Sequence, residues 1–155
     1  MFSKLTVAFL AVAMALVQVN AETHTVTFNN KCGRGTPYLR AQNGQVLSTG
    51  GAYTISGPLI GAIAYLQTGG CGNNGEDCTL IETTLKNGYS STDVSLIPPH
   101  EFNVAAGFGY YDGCDGKGAD CTSADCTTAF HTSDQTWVQV GCAVDNENLV
   151  ITFCD

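Results

Sequence analysis

Two carboxylates in the stretch TLIETTLKNGYSSTDVSLI have a spacing that could do chemistry. Asn87-Gly88 is a two-residue hairpin signal, because both central positions of a type I′ turn need a positive φ that Asn and Gly tolerate. If the chain turns there, residues whose numbers sum to 175 face each other, and Glu82 faces Asp93. Directly opposed side chains on one sheet face have Cβ atoms about 5 Å apart. Two acids that close resist ionising together, so one of them holds its proton to higher pH. General acid–base catalysis uses such a split, and glycoside hydrolysis in particular. Retaining enzymes place their carboxyls about 5–5.5 Å apart, and inverting ones about 6.5–9.5 Å. A hairpin pair suits either, depending on rotamers. The competing possibility is a one-residue slip of register, which would send the two acids to opposite faces. The other face of this hairpin carries Ile81, Leu85 and Val94, as a core requires.

The stretch GYYDGCDGKGADCTSADCTTAF concentrates cysteines, aspartates and glycines. It does not read as a metal loop. An EF-hand needs alternating acids, a glycine at its sixth position and a glutamate at its twelfth, and Asp112, Asp115 and Asp120 do not keep that spacing. Structural zinc favours a close Cys pair or neighbouring His ligands, which the spacing of Cys114, Cys121 and Cys126 does not offer. No metal and no cofactor is expected, and these acids read as solvated loop residues. His24 and His131 read as structural. His100, in the corner IPPHEF, lies seven residues after Asp93 and could reach the same cleft.

These residues need a framework. The opening MFSKLTVAFLAVAMALVQVNA has an early Lys4, an apolar run too short to span a bilayer, and a small-residue site at Val19-Asn20-Ala21. Residues 1–21 are expected to be a signal peptide, and residues 22–155 a single exported domain. Eight cysteines, all beyond residue 21, suit a disulfide framework in an oxidising compartment. Without Lys4, five Lys and Arg stand against 14 Asp and Glu. The basic residues form no stripe, so neither nucleic acid nor an anionic membrane is an expected partner. A neutral polymer such as a polysaccharide fits this balance, and the protein is expected to be a monomer.

Short runs of alternating or apolar residues, broken by Gly and Asn, predict an all-β antiparallel sandwich. The strands fall in THTVTFNN, in TPYLRAQNGQVLSTGGAYTI on both sides of Asn43-Gly44, in LIGAIAYLQT, TLIETTL, STDVSLI, HEFNVAAGF, TWVQVGC and NLVITFC. Exposed tyrosines, with Tyr65, Tyr110 and Tyr111 as candidates, could stack on sugar faces.

TVTFNNKC, a Gly-rich hairpin, TLIETTL, TDVSLI, EFNV and a closing VITFCD occur in that order over nearly all of residues 22–155. In this the chain resembles the thaumatin-like proteins. The resemblance implies a disulfide-stapled β-sandwich with pairs Cys32–Cys154, Cys71–Cys78, Cys114–Cys142 and Cys121–Cys126. It also implies an acidic cleft, with Glu82 and Asp93 matching two of its acids. The family arginine falls on Gln67, the second Asp on His100 with Glu101 beside it, and the third corresponds to Asp134 across a gap. Only TSAD lies between Cys121 and Cys126, where ordinary members carry a second disulfide-rich domain that forms one cleft wall. The resemblance implies β-1,3-glucan as a partner. Three functions stay open: weak endo-hydrolysis, with Glu82 as acid and Asp93 as base or nucleophile; glucan binding without turnover; and a secreted defence or antifungal protein with another target.

Overall fold

The computed structural model describes residues 21–155, so nearly all of the expected signal peptide lies outside the described residues. Twelve strands form two sheets. Strands β1 (Thr23–Asn30), β4 (Tyr53–Ser56), β8 (Ala106–Tyr111), β9 (Gly118–Cys121) and β12 (Asn148–Phe153) make one, in the order β4-β1-β12-β8-β9. The other runs β10-β7-β6-β5-β2-β3, with β2 (Thr36–Arg40), β3 (Val46–Ser48), β5 (Leu59–Gln67), β6 (Leu80–Leu85), β7 (Ser90–Ser95) and β10 (Ala129–Phe130). Strand β11 (Val140–Cys142) pairs with β7 as well.

Alternation explains the sandwich. In β1, His24 and Val26 point inward while Thr25 and Thr27 are partly exposed. In β5, Ala62, Ala64 and Leu66 are fully buried. They meet Ile81, Leu85 and Val94 of their own sheet and Phe108, Leu149, Ile151 and Phe153 of the other. Each strand buries one face because the side-chain period is two. A smaller cluster forms on the outer face of the second sheet, where Tyr65, Leu80 and Cys78 pack with Tyr38, Ile63 and Cys71.

All eight cysteines are paired, as Cys32–Cys154, Cys71–Cys78, Cys114–Cys142 and Cys121–Cys126. These are the pairs that the resemblance implies.

The structure corrects five local expectations. The sheets are mixed: β1 runs parallel to β12, and β10 parallel to β7. The segment 36–56 is not one hairpin, because β4 leaves β3 to pair with β1 in the other sheet. HEFNVAAGF becomes a strand only from Ala106, since Asn103 is taken up by Thr79, Leu66 and Thr68. TWVQVGC is half strand, with Thr136–Val138 forming a 3-10 turn before β11. The Cys-rich stretch, expected as loop, contributes β9 and leads into β10.

Candidate acidic groove

The hairpin of β6 and β7 turns at Asn87-Gly88 with the expected register, but only Gly88 takes a positive φ, so the turn is not type I′. The Tyr89 N–H donates to the Lys86 carbonyl at 2.9 Å, around Gly88 with a φ of 74°. A side chain at Gly88 would strain that left-handed conformation. The register then pairs Thr84 with Ser91, Thr83 with Thr92, Glu82 with Asp93 and Ile81 with Val94. The two acids are cross-strand neighbours on the outer face. On the inner face the hydroxyls of Thr83 and Thr92 hydrogen-bond at 2.7 Å, which fixes the register from beneath.

A break in pairing decides the environment of Asp93. The far edge of β7 is paired twice. Strand β11 takes Ser90, Ser91 and Thr92, while β10 takes Val94 and Ser95. Asp93 falls between them. There the chain from His131 to Gln139 leaves the sheet and returns through the 3-10 turn, forming a rim. Asp93 is only 6% exposed, whereas Glu82 is exposed. Gln139 donates to Asp93 Oδ1 across a long 3.5 Å, and Oδ2 is buried without a partner. Burial first, and the charge of Glu82 second, push the Asp93 carboxyl up to about 7 against the weaker opposing effect of Gln139. Its proton is therefore available near neutrality.

The groove over the pair has a volume of about 370 Å³, with Ile63, Thr84, Ser91, Phe130, Ser133 and Gln139 among its walls. One row of side chains crosses the sheet at its floor. Arg40 pairs with Ile63, Ile63 with Glu82 and Glu82 with Asp93, and Gln139 completes the row. Arg40 thus lies two strands from Glu82, roughly 10 Å away in the pairing direction. It donates to the Tyr65 hydroxyl at 3.0 Å, to the Gly44 carbonyl at 3.1 Å and to Asn73 at 3.3 Å. Sequence reasoning missed it. The signal was its place in TPYLR, where Tyr38 and Arg40 share one face.

The other expected residues do not converge on the groove. Gln67 is spent on its own loop, donating to the Cys71 carbonyl and accepting from the Gly69 and Cys71 amides. The His100 ring is bonded to the Gly75 carbonyl at 2.9 Å and braces the Cys71–Cys78 loop. Glu101 is exposed outside the groove walls. Asp134 is exposed next to Ser133 at the rim, and its bond from the Thr132 hydroxyl holds its pKa below the ordinary value. Tyr65 is 1% exposed and Tyr110 is buried, so neither offers a ring face to a ligand; Tyr111 is half-buried. The aromatics that do are Tyr89 and Trp137, 68% and 72% exposed. Among the described residues no group of three or more His, Cys, Asp and Glu could hold a metal ion.

A second buried acid also escaped the sequence reading. Glu147 is fully buried and accepts from the Ser90 hydroxyl. His24, fully buried too, donates from Nδ1 to the Glu147 carbonyl at 2.8 Å, and its Nε2 lies 3.2 Å from Glu22. Glu22 in turn accepts from the Asn87 amide at 2.7 Å. The chain of contacts ties β1 and β12 to the turn of the acidic hairpin, as the structural reading of His24 expects.

No family model matches the chain, and no curated protein matches it. Solved structures do. One, a thaumatin-like xylanase inhibitor, superposes with a TM-score of 0.55 at 18% identity, over 85% of this chain and 99% of that one. At that identity the likeness speaks to the fold, which is all-β and thaumatin-like.

Proposed function

We propose that the protein is secreted and binds cell-wall β-1,3-glucan in the groove over Glu82 and Asp93, with weak endo-hydrolysis as an accompanying activity. The observation that supports this best is the asymmetry of the pair. One carboxyl is exposed, and the other is buried beneath an open groove and keeps its proton near neutrality. Together they offer sugar hydroxyls both a hydrogen-bond acceptor and a donor. The same asymmetry supports roles for hydrolysis in reverse of the sequence expectation. Asp93 gives its proton to the departing glycosidic oxygen, while Glu82 acts as base on water or as nucleophile at the sugar carbon. An open groove holds substrate loosely and excludes little water, so turnover is slow.

The test is sedimentation with insoluble β-1,3-glucan, joined to an assay for reducing ends released from laminarin. Binding is expected, with slow release abolished in Asp93→Asn. No release at high protein loading removes the hydrolase and leaves the binder; no sedimentation overturns the glucan reading. A second reading has one observation behind it. The structural neighbour is named for inhibition of a xylanase, which suits a defence protein whose target is another secreted protein. It predicts capture of a xylanase or related enzyme with no affinity for glucan.

A further inference from the structure

The most exposed aromatic side chains among the described residues are Tyr89 and Trp137. They stand toward opposite ends of one strand. Along β7 the outward positions are Ser91 and Asp93, because Ser90, Thr92 and Val94 are buried on the inner face, and the same alternation carried back to the end of the turn puts Tyr89 on the outer face. Tyr89 thus shares its face with Asp93 and precedes it by four residues. Trp137 lies in the 3-10 turn of the rim, two residues before Gln139, which hydrogen-bonds Asp93, and four after Ser133, a groove wall. Strand β11 runs antiparallel to β7 from Thr92 back to Ser90, and Gln139 just before it meets Asp93, so the rim that carries Trp137 enters from the Asp93 side, away from Tyr89. Tyr89 thus stands about 13 Å from Asp93 along the chain direction, and Trp137 lies beyond Asp93 in the rim. Between them lie the hydroxyls of Ser91, Thr84 and Ser133, the amide of Gln139 and the acid pair.

We propose that this strip is an extended binding site for an uncharged oligosaccharide chain laid along β7, with Tyr89 and Trp137 as the stacking platforms at its two ends. The inference rests on the glucan reading of the groove and adds its direction and end points. An uncharged chain is the occupant because the carboxylates midway repel an anionic polymer, while the lining offers the hydroxyl and amide groups that sugars bond. An exposed ring with an apolar face and a polar tip suits the face of a sugar. The length of the strip demands several sugar residues, so affinity must rise with chain length until both rings are covered.

Trp137 is the protein's only tryptophan, so intrinsic emission reports this platform alone. The native protein is titrated with linear β-1,3-linked gluco-oligosaccharides of increasing length, followed by emission and by calorimetry in parallel. A blue shift that saturates with binding is expected for the longer chains. Tyr89→Ala and Trp137→Ala should each weaken the longest chain about tenfold, Trp137→Phe should recover most of the loss, and circular dichroism should show intact folds. Calorimetric binding with unchanged emission, or Tyr89→Ala at native affinity, overturns the strip and leaves the glucan reading standing. Absence of binding at every length overturns both.

Discussion

Glu82 and Asp93 face each other across β6 and β7, yet one carboxyl is open to water and the other is 6% exposed. Nothing in the hairpin distinguishes them. The difference comes from the next strand over, where the edge partner of β7 changes from β11 to β10 at Asp93. The intervening loop covers one acid and leaves the other bare.

That burial makes stability depend on pH. Asp93 is raised from an ordinary 3.8 to about 7 on folding. An acid raised on folding stabilises the folded state at pH below its unfolded value, and the contribution is lost as pH rises through the folded value. Between pH 4 and 8 the native protein should lose on the order of 2–4 kcal/mol from this group. The lowered carboxyls, such as Glu22 beneath the Asn87 amide, act below that window. Urea unfolding at pH 5 and pH 8 checks this: Asp93→Asn should be flatter with pH and the more stable at pH 8. Equal pH dependence in both proteins contradicts the burial argument.

Gln139 opposes that shift through its bond to Asp93 Oδ1. Gln139→Leu should move the Asp93 titration above about 7 in carbon-detected NMR, while Gln139→Asn should give an intermediate value. An unmoved titration means that the 3.5 Å contact is not formed in solution.

The Glu147 cluster is a structural clasp. Glu147→Ala would leave the Ser90 hydroxyl only its longer 3.2 Å bond to the Lys86 carbonyl and remove packing beside His24, at a cost of roughly 2–4 kcal/mol. Chemical denaturation measures it. Because Ser90, freed from Glu147, also holds the Lys86 amide at 2.8 Å, amide exchange in the β6–β7 turn should quicken as well. A stability loss below 1 kcal/mol would refute the clasp.

Cys32 and Cys154 are 122 residues apart. In the chain-entropy account a crosslink of that span contributes about 5 kcal/mol. Replacing both by Ser should lower the unfolding midpoint far more than replacing Cys121 and Cys126, which are 5 residues apart. Equal losses would show that the long loop confers no special advantage.

The hairpin pair was legible because an Asn-Gly turn carries its own register; local chemistry settles which residues oppose each other. The inward alternation in β1, β6 and β12 was legible for the same reason. What escaped notice depends on distant partners. Arg40 enters the row of Glu82 only through two successive pairings, β2 with β5 and β5 with β6. The covering of Asp93 depends on a short parallel strand, β10, of two residues, too brief for any periodicity. Tyr65 reads as a surface tyrosine in a strand, and the Cys71–Cys78 loop folding over its ring is what buries it. The parallel partners β1 and β12 lie more than 100 residues apart, beyond the reach of any local pattern.

That last pairing has a consequence for synthesis. Strand β12 follows every other strand in the chain, yet it occupies the middle of its sheet, between β1 and β8. Until it emerges, β1 and β8 have no shared partner, and one wall of the sandwich is an open seam of apolar side chains. The first sheet therefore cannot close vectorially as the chain leaves the ribosome. Its assembly must wait for residues 148–153, and removal of β12 would separate the layer into two unsupported halves.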